Sequence, residues 1–242
     1  MIQSIKMRVL ITGSEGQLGQ VFVAALKEKG CYVVGLDCQE KSCSLVDEYF
    51  NVDITRLESI KAFFTKLDGD IDVLVNNAGV SVFSPFEDRT LDEINYVLDV
   101  NVKGNILITQ QVFNQIFKIK QKGCIINIGS IYGVCSGDMR LYQDGDRRTP
   151  EIYGASKAAV INLTKYFAAY MAPFGVRVNC ISPGGIANFQ DSSFVEKYED
   201  KVPMRRMGKA QELISTLEYL TSNDSTYVTG QNIVVDGGFT VW

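Results

Sequence analysis

Apolar residues along the chain form short continuous runs, which alternate with longer stretches where apolar positions recur at helical spacing. The first run, residues 8–11, ends just before Gly13 and predicts a strand that leads into a turn. Apolar positions from Leu18 to Leu26 then predict a helix, which Gly30 ends. The same kind of run predicts five further strands, at residues 32–36, 71–75, 124–128, 176–181 and 232–235.

Helical stretches lie between these strands, notably near residues 91–118, 153–171 and 209–222. Short, continuous apolar strands that alternate with helices indicate a mainly parallel sheet covered by helices on both faces. No proline- or serine-rich linker, repeat or low-complexity tract interrupts the pattern. We therefore predict that residues 1–242 form a single α/β domain with a doubly wound Rossmann fold.

Composition and charge narrow the class of protein. Of the 242 residues, 46% are hydrophobic and 21% are charged, which is ordinary for a soluble globular enzyme. The net charge of -4 argues against nucleic acid as the main partner. No run approaches the roughly 18 to 20 apolar residues of a membrane span, and the N-terminus lacks the apolar core of a signal peptide. We expect a cytoplasmic protein that acts on a small molecule.

The chain contains no histidine, and its six cysteines form no CxxC pair. Without histidine, Ser-His-Asp and Cys-His catalysis and the commonest zinc ligand are excluded. We predict no metal site, and cysteines that are reduced packing residues. Acid–base chemistry near neutral pH must therefore come from a carboxylate, cysteine, lysine or tyrosine.

Three glycines at three-residue intervals, Gly13, Gly16 and Gly19, lie between the first strand and the first helix. Glycine permits a tight turn there and lets the backbone approach a pyrophosphate at the helix N-terminus. Three glycines near a turn are also common without any ligand. The predicted cofactor loop comprises Gly13, Ser14, Glu15, Gly16, Gln17, Leu18 and Gly19.

Asp37 stands at the end of the second predicted strand, 18 residues beyond Gly19. A carboxylate at this position can accept both ribose hydroxyls of NAD and would repel the 2′-phosphate of NADP. Neither position 14 nor position 15 carries a lysine or arginine to attract that phosphate. We predict NAD as the cofactor, although Asp37 would also suit a simple turn.

Two further polar segments follow predicted strands. Asp53, next to Ile54, follows a third short strand-like stretch and can accept a hydrogen bond from the adenine amino group. Asn77, Ala78 and Gly79 follow the strand at residues 71–75, where small residues would let the adenine ribose lie against the sheet edge. Taken separately, each segment is equally typical of a turn.

Of the eleven tyrosines, only Tyr153 is followed four residues later by a lysine, Lys157. On a helix, this spacing places both side chains on one face. A free phenol, with a pKa of about 10, is a poor base at neutral pH, whereas a nearby ammonium group stabilises the phenolate. The pair therefore predicts a proton-transfer centre, with a chance surface pair as the alternative.

Together, these motifs resemble the short-chain dehydrogenase/reductases, and the resemblance extends over essentially the whole chain. It implies that Tyr153 is the general acid and base and that Lys157 favours the phenolate while holding the nicotinamide ribose. Ser130 would hydrogen-bond the substrate oxygen, and Asn101 would hold the water that links Lys157 to solvent. The resemblance adds four residues at the nicotinamide, Pro183, Gly184, Ile186 and, in place of a common threonine, Asn188.

The glycine spacing, TGxxGxxG, departs from the compact branch of this family and matches the extended branch, which includes sugar-nucleotide epimerases and dehydratases. The extended branch has a larger C-terminal substrate domain. Here only about 85 residues follow Lys157, and residues 230–238 resemble the terminal strand of the compact branch. We therefore assign the chain to the compact, single-domain branch.

Ser130 and Tyr153 are 23 residues apart, about ten more than is usual in the compact branch. The added stretch, residues 136–150, is expected to form a loop at the mouth of the site. Its arginines, Arg140, Arg147 and Arg148, are candidates to bind a phosphate or carboxylate of the substrate. A solvated surface loop is the alternative.

The sequence of residues 130–134, followed by this long loop, resembles that of the dehydrogenases of flagellin-modification and surface-glycan (nonulosonate) gene clusters. This resemblance implies a sugar or sugar-phosphate substrate.

The leading prediction for the reaction is hydride transfer between NAD and a secondary alcohol or ketone. The alternatives are an NAD-retaining sugar-nucleotide epimerase or dehydratase and a non-catalytic dinucleotide sensor. The resemblance also implies a homodimer or homotetramer, formed through the helices near residues 91–118 and 153–171.

Overall fold

A computed structural model of the protein describes residues 6–40, 45–142 and 148–242. Its strands are β1 (Arg8–Thr12), β2 (Tyr32–Asp37), β3 (Glu48–Asn51), β4 (Val73–Asn76), β5 (Gly123–Ile128), β6 (Val176–Pro183) and β7 (Asn232–Val235). All pair in parallel, in the order β3-β2-β1-β4-β5-β6-β7. The predicted doubly wound parallel sheet is confirmed.

The helices connect successive strands. They are α1 (Gln17–Glu28), α2 (Leu57–Phe64), α3 (Leu91–Leu98), α4 (Asn105–Val112), α5 (Lys118–Lys120), α6 (Glu151–Met171), α7 (Ser192–Lys201) and α8 (Ile214–Thr221). Two π-helical segments, Asp99–Gly104 and Phe113–Phe117, join α3, α4 and α5 into one interrupted helix. The structure thus divides the helix that we predicted near residues 91–118, and it adds α2 and α7, which the sequence pattern did not predict. Among the described residues, no helix is long and apolar enough to cross a membrane.

Alternate residues of the central strands supply two cores, one on each face of the sheet. Leu10, Leu74 and Ile125 belong to one cluster, which α4 and α6 cover. Val9 and Val75 belong to the other, which α1 and α8 cover. The alternation follows from the two-residue period of a strand, and burial on both faces explains why these strands have continuous apolar sequences.

The strand order reverses between β1 and β4, which pair side by side although β2 and β3 lie on the other flank of β1. Loops that leave the carboxyl ends of such strands diverge and open a crevice, the usual ligand site of open α/β sheets. The predicted glycine loop follows β1 and the predicted segment at residues 77–79 follows β4. Both therefore border this crevice.

Candidate active site

The glycine loop turns so tightly that side chains cannot be accommodated at two positions. Gly13 has a φ of +66°, in the left-handed region, and its N–H donates to Leu36 O at 2.8 Å. A Cβ atom at Gly19, in the first turn of α1, would lie 2.0 Å from the Gly13 carbonyl oxygen. Helix α1 begins at Gln17 without a side-chain cap on its first N–H groups. These groups suit a pyrophosphate, as the sequence predicted.

Thr12 joins this loop to the end of β4. Its hydroxyl oxygen accepts from the N–H groups of Asn77 and Ala78, each at 3.1 Å. The Asn77 side chain donates in return to Gly13 O at 2.8 Å. We did not single out Thr12 from the sequence, because its bonds are to residues 65 and 66 positions away.

Asp37 ends β2 beside the same loop and is 9% exposed. Its two carboxylate oxygens accept from the N–H groups of Glu15, at 3.0 Å, and Gln39, at 3.2 Å. Each oxygen retains a lone pair for a further hydrogen bond, such as one from a ribose hydroxyl. Asp37 is therefore both a loop anchor and an acceptor at the crevice.

Asp53 also combines a turn with a place at the crevice. Its Oδ1 accepts from the backbone N–H and the hydroxyl of Thr55, at 2.9 and 2.7 Å, in the turn that leads into α2. Asp53 and Ile54 both line the cavity described below. Asp53 can therefore stabilise a turn and also be available to a ligand in the cavity, so the two interpretations of this residue are compatible.

Tyr153 and Lys157 lie on one face in the first two turns of α6. The Lys157 ammonium is 5.7 Å from the centre of the Tyr153 ring and donates to Ile128 O, at the end of β5, at 2.8 Å. Lys157 is 5% exposed. The structure therefore places a buried cation beside the Tyr153 phenol.

The Asn101 side chain clamps three segments together. Its Oδ1 accepts from Val80 N at 2.8 Å, and its Nδ2 donates to Val80 O at 3.0 Å and to the Ser156 hydroxyl at 2.9 Å. Ser156 donates in turn to the Tyr153 carbonyl at 2.8 Å. The Asn101 amide group therefore donates both to the segment after β4 and to α6. This clamp, including the role of Ser156, was not evident from the sequence.

Ser130 follows β5 and lies at the same cavity as Tyr153. It is 7% exposed, and its hydroxyl oxygen accepts from Tyr132 N at 3.2 Å. That bond does not use the hydroxyl proton, which can be donated to a substrate oxygen.

The segment after β6 reaches across the crevice to α1. Ile186 pairs with Gly208, and the carbonyl of Ala187 accepts from the Gln17 side chain at 3.2 Å. Asn188 N donates to the Gln190 side chain at 2.5 Å. The segment thus borders the cavity described below, and the prediction that it lies at the nicotinamide stays a prediction.

These segments surround one cavity of about 1260 Å³. Because drug-sized pockets span about 300 to 1,000 Å³, it has room for a dinucleotide together with a substrate. The predicted cofactor residues that line it are Gly13, Gly16, Gln17, Leu18, Asp37, Asp53, Ile54, Asn77, Ala78, Gly79, Tyr153, Lys157, Pro183, Gly184, Ile186 and Asn188. Ser14, Glu15 and Gly19 are not part of this lining, and neither is Asn101.

Of the three predicted substrate arginines, the two that the structure describes do not line this cavity. Arg140 forms an ion pair with Asp138 at 2.7 Å, its side chain is 87% exposed, and it does not line the cavity. Arg148 lines a smaller neighbouring cavity of about 430 Å³. Arg147 lies outside the described residues.

Asp138 instead fastens its segment to α7. Its Oδ2 accepts from Arg140 and from Lys201, both at 2.7 Å, and the Asp138 side chain is 10% exposed. Hydrogen bonds from Arg140 and Lys201 hold the pKa of this carboxyl well below its usual range.

Replacing Asp138 by asparagine is expected to lower the free energy of unfolding by about 1 to 2 kcal/mol at neutral pH. A depressed folded-state pKa gives stabilisation that is complete above the unfolded-state value of about 3.9 and is lost as the pH falls toward the folded-state value. Urea unfolding of both proteins should give equal differences at about pH 7 and pH 5.5, and a smaller one at about pH 3. A difference that did not shrink at the lowest pH would show that the ionised carboxylate is not responsible.

Comparison with known proteins identifies the family. Residues 14–240 match the family model described as Enoyl-(Acyl carrier protein) reductase. The 3-oxoacyl-(acyl-carrier-protein) reductase FabG of Thermotoga maritima is 31% identical over 96% of this chain and 97% of its own. A short-chain dehydrogenase structure from Leptospira borgpetersenii with bound NAD+ is 45% identical, covers 97% of this chain and 93% of its own, and has a TM-score of 0.91. The chain belongs to the short-chain dehydrogenase/reductase family.

Glucose 1-dehydrogenase of Gluconobacter oxydans is a further relative, 30% identical over 97% of this chain and 92% of its own. This short-chain dehydrogenase/reductase is accordingly an oxidoreductase that uses a nicotinamide dinucleotide. The glycine cradle and the size of the cavity fit that cofactor. The comparisons leave the roles predicted for individual site residues as predictions.

Proposed function

We propose that the chain catalyses reversible hydride transfer between NAD and a secondary alcohol or ketone of a sugar-type or sugar-phosphate-type substrate, with Tyr153 as the general acid and base. The observation that carries this proposal is the convergence of Ser130, Tyr153 and Lys157 on a cavity that is also bordered by the glycine loop and Asp37. The relationship to a glucose 1-dehydrogenase supports the sugar-type substrate.

In the oxidative direction, the Tyr153 phenolate takes the proton of the substrate hydroxyl. The Lys157 ammonium stabilises that phenolate, and the bond from Lys157 to Ile128 O holds the ammonium in place. Ser130 donates its hydroxyl proton to the same substrate oxygen and so orients it. The nicotinamide, when bound, supplies or accepts the hydride. In reduction, Tyr153 returns the proton.

Asp37 supports the choice of NAD over NADP. Its carboxylate lies at the cavity, where it can accept from ribose hydroxyls, and it would repel a phosphate esterified to one of them. The bound NAD+ in the related Leptospira structure is in agreement. The adenosine end of the cavity is therefore proposed to select NAD.

Replacing Asp37 by asparagine is expected to raise the ratio of kcat/KM for NADP to that for NAD by about tenfold or more, because it removes the repulsive charge. Asparagine retains an acceptor for the N–H of Glu15. Initial rates with both cofactors measure the ratio, with Asp224→Asn, an exposed carboxylate outside the cavity, as the matched control. An unchanged ratio would mean that Asp37 does not select the cofactor.

The function is tested by incubating the purified chain with NAD or NADP and a panel of sugars, polyols, sugar phosphates and nucleotide sugars. We expect reduced nicotinamide to form with at least one member and to depend on Tyr153. The absence of turnover with every member would contradict the proposal. Conversion of a nucleotide sugar with tightly retained cofactor and no net reduction would instead identify an epimerase or dehydratase.

A further inference from the structure

Five aromatic rings form a continuous series beside the catalytic residues. The ring centres lie 5.4 Å apart for Tyr142 and Phe194, 5.9 Å for Phe194 and Tyr198, 5.1 Å for Tyr198 and Phe239, and 6.5 Å for Phe239 and Tyr132. All except Phe239 line the large cavity. We call these five residues the aromatic wall.

The aromatic wall is assembled from three distant segments: the stretch between Ser130 and Tyr153, helix α7 and the C-terminal segment. The Asp138–Lys201 ion pair joins the first segment to α7, and the Lys201 ammonium lies 4.7 Å from the centre of the Phe239 ring. The Tyr142 hydroxyl is hydrogen-bonded to the Thr149 hydroxyl. These bonds hold the rings in place before any substrate arrives, which reduces the entropy cost of binding.

Side chains with hydroxyl groups line the same cavity as these rings. Thr149 and Ser193 line the cavity close in sequence to Tyr142 and Phe194, and Tyr132 contributes a further phenol. Burial raises the pKa of Tyr132, so this phenol stays protonated at neutral pH. Hydroxyls can both donate and accept, so they match the hydroxyls of a substrate without requiring it to carry charge.

The charge of the cavity disfavours an anionic substrate. Among the described residues that line it, Lys157 is the single cationic side chain, and it already donates to Ile128 O. The same lining contains four carboxylates: Asp37 and Asp53 at the predicted adenosine end, and Asp99 and Asp191 elsewhere. A phosphate or carboxylate placed against the aromatic wall would lose hydration and find no free cation among the described residues that line the cavity.

We infer that the substrate of this site is an uncharged polyhydroxy compound, whose carbon skeleton lies against Tyr142 and Phe194 and whose hydroxyls bond the surrounding hydroxyl groups. This inference rests on the proposed function and deepens it. The sequence predicted a sugar or a sugar phosphate, and the inference favours the uncharged sugar. It also gives residues 136–142 a role in forming the aromatic wall, distinct from the predicted arginine grip.

The first test compares each uncharged polyol with a related compound that carries one anionic group. Xylitol against xylitol 5-phosphate, and glucitol against gluconate, are assayed with NAD for reduced nicotinamide. We expect kcat/KM to be about tenfold or more higher for the uncharged member of each pair. Equal or better turnover of the charged members would overturn the inference while leaving the proposed function intact. If no compound of the wider panel reacts, the proposed function fails, and the inference fails with it.

The second test removes the contact surface without changing charge. Phe194→Leu should raise KM for the preferred uncharged substrate by about tenfold, with kcat altered by less than about threefold. Tyr142→Phe, which keeps the ring and removes the hydroxyl, should raise KM less. Tyr227→Phe, at a fully exposed ring, is the control and should match wild type. The NADH dissociation constant, measured by fluorescence, should be the same in all four proteins.

An unchanged KM in Phe194→Leu would overturn the contact with the aromatic wall. A weaker affinity for NADH in the same variant would also overturn it, since it would show that the ring supports the cofactor and not the substrate. Thermal unfolding of each variant establishes that the folded protein is being assayed. Tyr142→Phe, the more conservative change, keeps the inference testable if Phe194→Leu folds poorly.

Discussion

Replacing Tyr153 by phenylalanine is expected to lower kcat by about 10³-fold and to change the NADH dissociation constant by less than about threefold. Phenylalanine retains the ring whose centre lies 5.7 Å from the Lys157 ammonium, so the packing of α6 is preserved. The change removes only the hydroxyl that exchanges a proton with the substrate. A loss confined to kcat is the signature of an interaction made in the transition state.

Steady-state rates with the preferred substrate and fluorescence titration with NADH measure these two quantities. Tyr227→Phe makes the same chemical change at an exposed ring that does not line the cavity, and it should behave as wild type. If Tyr153→Phe retained kcat within about threefold of wild type, Tyr153 would not be the general acid and base. The non-catalytic sensor would then become the better interpretation, provided that NADH still bound.

The second large effect is expected at the glycine loop. In Gly19→Ala the new Cβ would lie 2.0 Å from Gly13 O and 2.9 Å from two atoms of the Ser14 carbonyl group. Because backbone atoms cannot yield as a flexible side chain does, the loop must move away from α1. We expect NADH binding to weaken by about 100-fold or more, since the helix N-terminus and the loop no longer present their N–H groups together.

Gly30→Ala is the matched control for this substitution. Gly30 has a φ of +76°, but a Cβ there meets nothing within 4 Å. Alanine at this position should cost about 1 kcal/mol of stability through backbone strain alone and leave NADH binding unchanged. Isothermal titration with NADH and urea unfolding separate the two effects. Tight NADH binding by Gly19→Ala would show that the cofactor does not need the close approach of the loop to α1.

Local patterns predicted the central strands well because these strands are buried on both faces. Continuous apolar runs therefore mark β1, β2, β5 and β6 to within about two residues. The predicted strand at residues 71–75 instead begins at Val73, after Asp72, whose carboxylate accepts from Arg8 N and from Lys120. Such a boundary depends on partners that are distant in sequence.

The interrupted helix shows where periodicity is insufficient. One amphipathic stretch predicts a single helix near residues 91–118, but the structure contains a π-helical segment at Asp99–Gly104. Within it, Asn101 bonds to Val80 and Ser156, which belong to other parts of the chain. A π-helical insertion of this kind is often found at functional sites, and its cause lies in tertiary contacts.

The candidate site also contains residues that local sequence predicts and residues that only tertiary contacts bring together. Tyr153 and Lys157 share a helix face and the glycines share a turn, so their placement could be predicted from spacing alone. Asp37 could be predicted because strand ends of a parallel sheet meet at one edge. These are properties of neighbouring residues and of a regular fold.

Tertiary structure alone decided what surrounds that pair. The sequence between Ser130 and Tyr153 contains three arginines, but it does not indicate where their side chains point. Arg140 forms an ion pair with Asp138 and does not line the cavity. The aromatic wall brings together rings from residues 132 to 239. Side chains so far apart meet only through folding, and no periodicity encodes which of them will touch. The placement of Tyr153 and Lys157 on one helix face was therefore predictable from the sequence, whereas the aromatic wall was not.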